Sequence, residues 1–384
     1  MRRLNILEDR SLFKERKELF NNALQMKHNK RTPSLSNFWT WKILDSEYTL
    51  REALHDYDIM EKVTVEFHHR YQFDAYMDLG TRNPMRVSDA LGAGFHKIDD
   101  KNQSIVVIDH KLMERNEYTE MKEDFLKFNW TKAFARYTPD LTIEQLQNAA
   151  MEFVSFGQYA QKINTKFLIE HQTPLLPNAP QFMPFEHFFN TYRGIKDVSI
   201  DLKKCKTEMI EAMDMMYATQ VEPAMKSTLE SNTSNMFCDT VSFFLGHSIL
   251  SEKQFEEFYW RYLKKVIDTL IEKNKTMFIF CESTMMRFVD FFKDVPKGVL
   301  AIHLEQDNIF EMRKKLPNIC FVGGMSTDLL GNGTEQQCVD YAKKLIDELG
   351  DGYVFSANKM ISFKNDCKRE NLLAVTEFVL NYKH

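Results

Sequence analysis

The chain is poor in the residues that punctuate and staple a fold: its 384 residues include 13 glycines, 10 prolines and 6 cysteines. The cysteines stand far apart, at Cys205, Cys238, Cys281, Cys320, Cys338 and Cys367, with no CxxC pair. That spacing excludes a zinc knuckle and a thioredoxin-type site, and reduced thiols are expected. Basic charge is not in excess either. At a net charge of -5 a nucleic-acid surface is not expected, since phosphate binding needs a basic stripe. No apolar run nears the roughly 20 residues needed to cross a membrane. The first residues, Met1 to Arg10, carry charges where a signal peptide needs an apolar core, so the expected location is the cytoplasm. Repeats, low-complexity tracts and linkers are missing too, which favours one domain over two.

What is present is ordinary globular material, 43% hydrophobic and 27% charged, with 21 Met and 31 Phe. Such soft side chains fill a core readily and can also line a roomy pocket. Residues 8–29 read as an amphipathic helix, and 49–70 as a second, opened by Thr49 and Glu52 in a capping box. Strands are predicted at 34–41, 71–78, 165–169, 237–244, 277–282, 299–304, 319–322 and 353–356. Between them lie helical stretches, among them 200–230 and a capped helix from Ser251 to about Asn274. A short strand at 104–108 belongs to a hairpin, and 114–163 is mainly helical with a break near Pro139. Eight strands alternating with helices predict an α/β fold, a (β/α)₈ TIM barrel over residues 1–384. An N-terminal helix precedes it, and a helical and hairpin insertion, 93–163, lies outside it. The active site of such a barrel lies at the C-terminal ends of its strands.

The stretch from Ile319 to Ser356 is the most telling: a buried strand, the pair Gly323-Gly324, a turn, a helix capped near Thr334, and another strand. Gly323-Gly324, Leu329-Leu330, Gly333-Thr334-Glu335, Lys344-Leu345-Ile346, Gly350-Asp351-Gly352 and Glu370-Asn371 together resemble the closing segment of the uroporphyrinogen decarboxylase-like superfamily. The similarity extends to Pro184-Phe185-Glu186, Tyr192-Arg193-Gly194, Leu250-Ser251, Phe73-Asp74-Ala75 and Ala90-Leu91-Gly92. That superfamily holds the decarboxylase itself and the corrinoid-dependent methyltransferases.

Barrel geometry turns strand ends into candidates: Trp39, Trp41, Asp74, Asp78, His247, Glu282, His303, Glu305, Asp307 and Asn358 with Lys359. Glu282 ends an apolar strand, where a carboxylate is costly to bury without a metal, cation or hydrogen-bond donor. His303, Glu305 and Asp307 project to one side of an extended strand, as zinc ligands or as an acid/base set. Glu305 and Asp307 could equally begin the next helix. Gly323 and Gly324 sit where a ligand can approach the backbone closely.

The resemblance narrows the chemistry. Thiol-activating methyltransferases of the superfamily carry His-x-Cys at the fifth strand and a later Cys. Here those positions read Phe280-Cys281-Glu282 and Ser356-Ala357-Asn358-Lys359, which argues against that zinc site. The decarboxylase has an arginine-rich loop after its first strand; this chain has Asn37-Phe38-Trp39-Thr40-Trp41-Lys42, aromatic instead of cationic. The resemblance therefore implies a corrinoid-dependent methyltransferase component. It would move a methyl group between a small methylated substrate and a separate corrinoid-binding protein, which supplies the corrinoid (cobalamin-type) cofactor. Glu282, His303, Glu305 and Asp307 would be catalytic, with Glu282 and His303 able to hold a zinc ion. Trp39, Trp41, Asp78, His247, Gly323, Gly324 and Asn358 would bind substrate, the aromatic wall suiting a quaternary amine by cation–π attraction. The alternatives are a lyase acting on a carboxylated substrate and a non-catalytic barrel that binds a tetrapyrrole or corrinoid.

Overall fold

A computed structural model describes residues 10–177 and 180–383. Residues 1–9, which include the start of the expected first helix, lie outside them. Among the described residues, ten strands run in chain order. They are β1 (Leu35–Ser36), β2 (Ala75–Tyr76), β3 (His96–Asp99), β4 (Ser104–Val107), β5 (Pro180–Gln181), β6 (Thr240–Phe244), β7 (Met277–Cys281), β8 (Leu300–Leu304), β9 (Cys320–Met325) and β10 (Tyr353–Ala357). Strands β5 to β10 form one six-stranded parallel sheet in sequence order. The parallel pair β1–β2 continues it through a bridge between Ser34 and Phe355, and Leu175 bridges Met236 ahead of β5. No ladder joins β2 to β5 among the described residues. Strands β3 and β4 form a separate antiparallel hairpin.

Two apolar clusters show how this wall is packed. The inner one gathers Leu35, Ala75, Val241, Phe278, Phe280, Ala301, Cys320, Val322 and Val354, with Leu176 and Met77 against it. Every one of the eight barrel strands, or the segment leading into it, therefore contributes to one interior. That arrangement is the filled core of a (β/α)₈ barrel, whose inward side chains stack in layers. The alternate residues, such as Ile279, Cys281, Ile302 and Phe321, belong to the outer cluster beneath the helices. The helix Ser11–Leu24 inserts Phe20, Ala23 and Leu24 into the inner cluster, closing the N-terminal end of the barrel.

Several sequence expectations shift. The third strand is not at 165–169: those residues end the helix Ile143–Ile169, and the chain first joins the sheet at Leu175 and β5. Thr165-Lys-Phe-Leu-Ile has strand-like composition, but Tyr159, Ile163 and Phe167 are buried at a spacing of four, the period of a helix face. The first strand stops short of 41 because Trp41–Leu44 is helical. The helix expected at 49–70 is two, Leu50–His55 and Tyr57–Arg70, and the Thr49–Glu52 capping box is present. Within 93–163 the hairpin pairs only with itself among the described residues. Residues such as Ile98, Met113, Tyr118 and Phe128 nonetheless share the outer cluster with the barrel helices.

A buried charge fastens the closed end. Asp74 is fully buried and accepts two hydrogen bonds of 2.8 Å from Arg31, one of 2.9 Å from the Ser34 amide, and lies 3.4 Å from Arg16 of the plugging helix. Burial pushes its carboxyl up, but the Arg31 bonds and charge, with Arg16, outweigh that and hold it below the usual value. A depressed carboxyl stabilises fully above the unfolded value of about 4 and loses that contribution as pH falls through the lower folded value. Asp74→Asn should cost about 3–5 kcal/mol near neutral pH, because it strands a buried guanidinium. Urea titrations at several pH values test this: the gap from the parent should narrow below pH ~4, and parallel curves would refute the assignment.

Candidate active site

The register of the sheet sets what faces the mouth. Phe280 of β7 pairs with His303 of β8, both pointing inward, and their rings stack at 4.7 Å with 14° between planes. Phe243 stacks on Phe182 at 5.3 Å and lies 6.1 Å from Phe280, so an aromatic row runs along the inner wall. Two residues beyond Phe280 and His303, alternation brings Glu282 and Glu305 to the rim on the same side. Glu282 and His303 thus share the interior face but not one level: His303 is in the aromatic layer, and Glu282 is one step above it. Burial first, then the Glu305 charge, raises the Glu282 carboxyl above its ordinary value, while Arg82 opposes the shift.

His303 is buried, and its Nε2 lies 3.0 Å from the Ala357 carbonyl and 3.2 Å from Asn37 Nδ2. Burial pushes it down to about 4, so the ring is neutral at physiological pH. Its Nδ1 and the Oδ1 of Asn37 have no partner among the described residues. The expected zinc pair does not fit this geometry. Nε2 is occupied, Glu282 stands a layer away, and no group of three His, Cys, Asp or Glu side chains is gathered for a metal among the described residues. Glu305 takes the Ser283 amide, while Asp307 takes the Thr284 hydroxyl and, at 2.7 Å, the Met285 amide. These two carboxylates brace the loop after β7 instead of starting the next helix, which Asn308 caps.

A cavity of about 320 Å³ opens at the strand ends, walled by Phe38, Met77, Leu176, Phe182, Phe243, Leu245 and Met360, with Asn37, Asp78, Thr81 and Arg82 as its polar members. Asp78 is already satisfied: Lys42 Nζ stands 2.5 Å from one oxygen, and the Gly80 and Thr81 amides donate to the other at 3.1 and 3.0 Å. Trp39 is at the rim, where the Arg82 guanidinium lies 4.9 Å above its ring. A larger cavity of about 740 Å³ lies in the insertion, between the hairpin, the helix Met85–Leu91 and Arg136–Pro139, and no barrel strand lines it.

Other expected site residues are placed elsewhere. Trp41 turns away in its short helix, packs on Phe38 and Tyr71, and donates Nε1–H to the Cys367 carbonyl at 3.1 Å. His247 is on the outer side of the wall, buried beside Phe244 and Phe288, with Nε2 3.5 Å from the outward Cys281 sulfur. Gly323 and Gly324 have φ of +115° and +87° and serve close packing. A Cβ on Gly323 would stand 3.4 Å from the His303 ring, and one on Gly324 would strike Leu345 at 2.8 Å. Asn358 is spent on Thr327, whose amide and hydroxyl each donate to it at 3.0 Å. Lys359 is 3.4 Å from Asp366.

Sequence reasoning missed three charged groups here. Arg82 follows Asp78 by four residues in the loop after β2. Lys42 stands in the sequence only as the end of an aromatic segment. Glu186, quoted only for resemblance, is fully buried and accepts from the Leu245 and Gly246 amides at 3.0 and 2.9 Å and from the Tyr259 hydroxyl at 2.7 Å. Burial pushes its carboxyl up to about 7 against those donors. It anchors the loop that carries Leu245 into the mouth.

Comparisons with known proteins agree with this architecture. Residues 194–382 match the family model for uroporphyrinogen decarboxylase (URO-D). A methyltransferase from Methanosarcina mazei superposes with a TM-score of 0.61 at 14% identity, covering 95% of this chain and 98% of that one. At that identity the likeness shows a shared fold. No curated protein matches the chain. The family match over residues 194–382 and the fold shared over nearly the whole length make this chain similar to the uroporphyrinogen decarboxylase-like proteins, on a barrel whose aromatic inner wall opens to a polar rim.

Proposed function

We propose that the protein is a methyltransferase component that takes a methyl group from a small substrate and passes it to a corrinoid held by a separate protein. The observation that carries this reading is the mouth itself: a cavity of about 320 Å³ with apolar walls, whose rim guanidinium, Arg82, feels the charge of Glu282, a carboxyl that burial and Glu305 keep protonated more readily than usual. The volume is at the small end of ligand pockets, which run from about 300 to 1,000 Å³, and suits a compact molecule better than a tetrapyrrole. The corrinoid would supply the methyl acceptor. The chain's own residues hold the substrate against Phe182 and Phe243 and exclude water from it. Glu282 gives its proton to the oxygen or nitrogen that the methyl group leaves. A lyase acting on a small carboxylated substrate is the second reading, favoured by Arg82 at the rim.

If Glu282 acts as the acid, its protonated form is the active one, so the rate should fall as pH rises above its raised pKa. Glu282→Gln should lower methyl transfer by about 100-fold or more while the thermal midpoint stays unchanged. Rates measured with the partner corrinoid protein check both, and a fully active variant would remove Glu282 from the mechanism.

Uroporphyrinogen should not be decarboxylated. The first-strand loop has no arginine to grip propionates, and the cavity is small. Chromatography of the porphyrins after oxidation would reveal the tetracarboxylated product, and its formation at an enzymatic rate would sink this expectation.

A further inference from the structure

The mouth cavity leaves two polar groups unanswered, one at its floor and one at its rim. At the floor, Asn37 is 1% exposed, lines the cavity, and keeps its Oδ1 without a partner among the described residues. At the rim, Arg82 lines the same cavity, lies over Trp39 and donates to the Met360 sulfur. It feels the charges of Asp78 and Glu282, but no carboxylate is in ion-pair contact with it among the described residues. Asp78 is claimed by Lys42, so neither of those two can neutralise an incoming charge. Between floor and rim the wall is apolar, with Phe243 and Phe182 presenting stacked rings.

We propose that this cavity takes a small organic anion: a carboxylate seated on Arg82, a ring-sized apolar body against Phe243, and a hydroxyl that donates to the Oδ1 of Asn37. A planar guanidinium without a counter-ion is the group best matched to a carboxylate, which it can hold through two parallel hydrogen bonds. An amide with an unused atom in a dry site gains most from a ligand that satisfies it. The geometry disfavours a quaternary ammonium. The Trp39 face, the natural seat for cation–π binding, already carries the Arg82 charge at 4.9 Å. The inference rests on the preceding reading in taking this cavity as the substrate site, and it names the substrate class.

Calorimetry on the full chain, with no corrinoid protein present, tests it with three probes of one shape: 4-methoxybenzoate, 4-methoxybenzyl alcohol and 4-methoxybenzyltrimethylammonium. The acid should bind at least about tenfold more tightly than the alcohol, and the ammonium most weakly. Arg82→Met should bring the acid down to the level of the alcohol, and Arg82→Lys should keep part of the preference, since charge remains but the fork is lost. Asn37→Ser should reduce the preference for 4-hydroxybenzoate over benzoate. Equal binding of acid and alcohol, tightest binding of the ammonium, an unaltered Arg82→Met profile in a folded variant, or no binding of any probe would each overturn the proposal. Methyl transfer is read separately. Arg82-dependent binding of the acid without any methyl transfer would retire the methyltransferase reading and leave this one standing.

Discussion

Side chains on a strand alternate between two faces, and in a parallel ladder that alternation is shared by every strand in register. From β6 to β10 the pairing is continuous, so one parity decides what lies inside: Val241, Phe243, Phe278, Phe280, Ala301 and His303 face the interior. The consequences reach every candidate group. Cys281 falls on the outer parity and is sealed beside His247, where burial pushes its thiol well up, so it is no nucleophile. Glu282, one residue on, returns to the inner parity just where the strand ends. A slip of one residue would exchange the two.

The two ends of the barrel treat charge in opposite ways. At the closed end Asp74 is surrounded by Arg31, Arg16 and the Ser34 amide, a buried cluster in which the counter-charges are supplied in full. Such a cluster fixes the position of the plugging helix and leaves nothing for a ligand to do. At the open end Arg82 and Glu282 influence each other without an ion pair, and Glu282 bears the added repulsion of Glu305. Charges held near one another but incompletely compensated cost stability, and they are the kind of arrangement expected where a ligand completes the set.

The barrel is legible in the sequence because its signals are local. Apolar runs such as Met277–Cys281 and Leu300–Leu304 are fully buried on both sides, and capping residues at Thr49, Ser251 and Thr334 open helices where expected. The third strand is not legible. Among the described residues, only Leu175 and the two residues of β5 join the sheet there, too few to show a period, while Thr165–Ile169 carries strand-like residues on a helix. At the site, strand ends point to Glu282, Asp78 and His303, and the register places Glu282 and His303 on the inner face and Asp78 on the mouth cavity. Arg82 and the bonding of Asn358 depend on loops, whose course sequence patterns leave open. His247 and Trp41 are misplaced by the same reasoning, because proximity to a strand end does not say which side of the wall a following turn takes.

His303 shows how a residue can matter without touching a reacting atom. Its neutral ring is stacked on Phe280, and its Nε2 reaches both the Ala357 carbonyl of β10 and Asn37 after β1. Three strands therefore meet at one imidazole, which lies at the floor of the mouth cavity through its contact with Asn37. Burial holds the ring well below its ordinary pKa, so protonation, which would put an uncompensated charge inside an apolar layer, does not compete with this role. The imidazole acts as a rigid spacer: it sets where the Asn37 amide stands, and that amide is what a ligand entering past Arg82 meets.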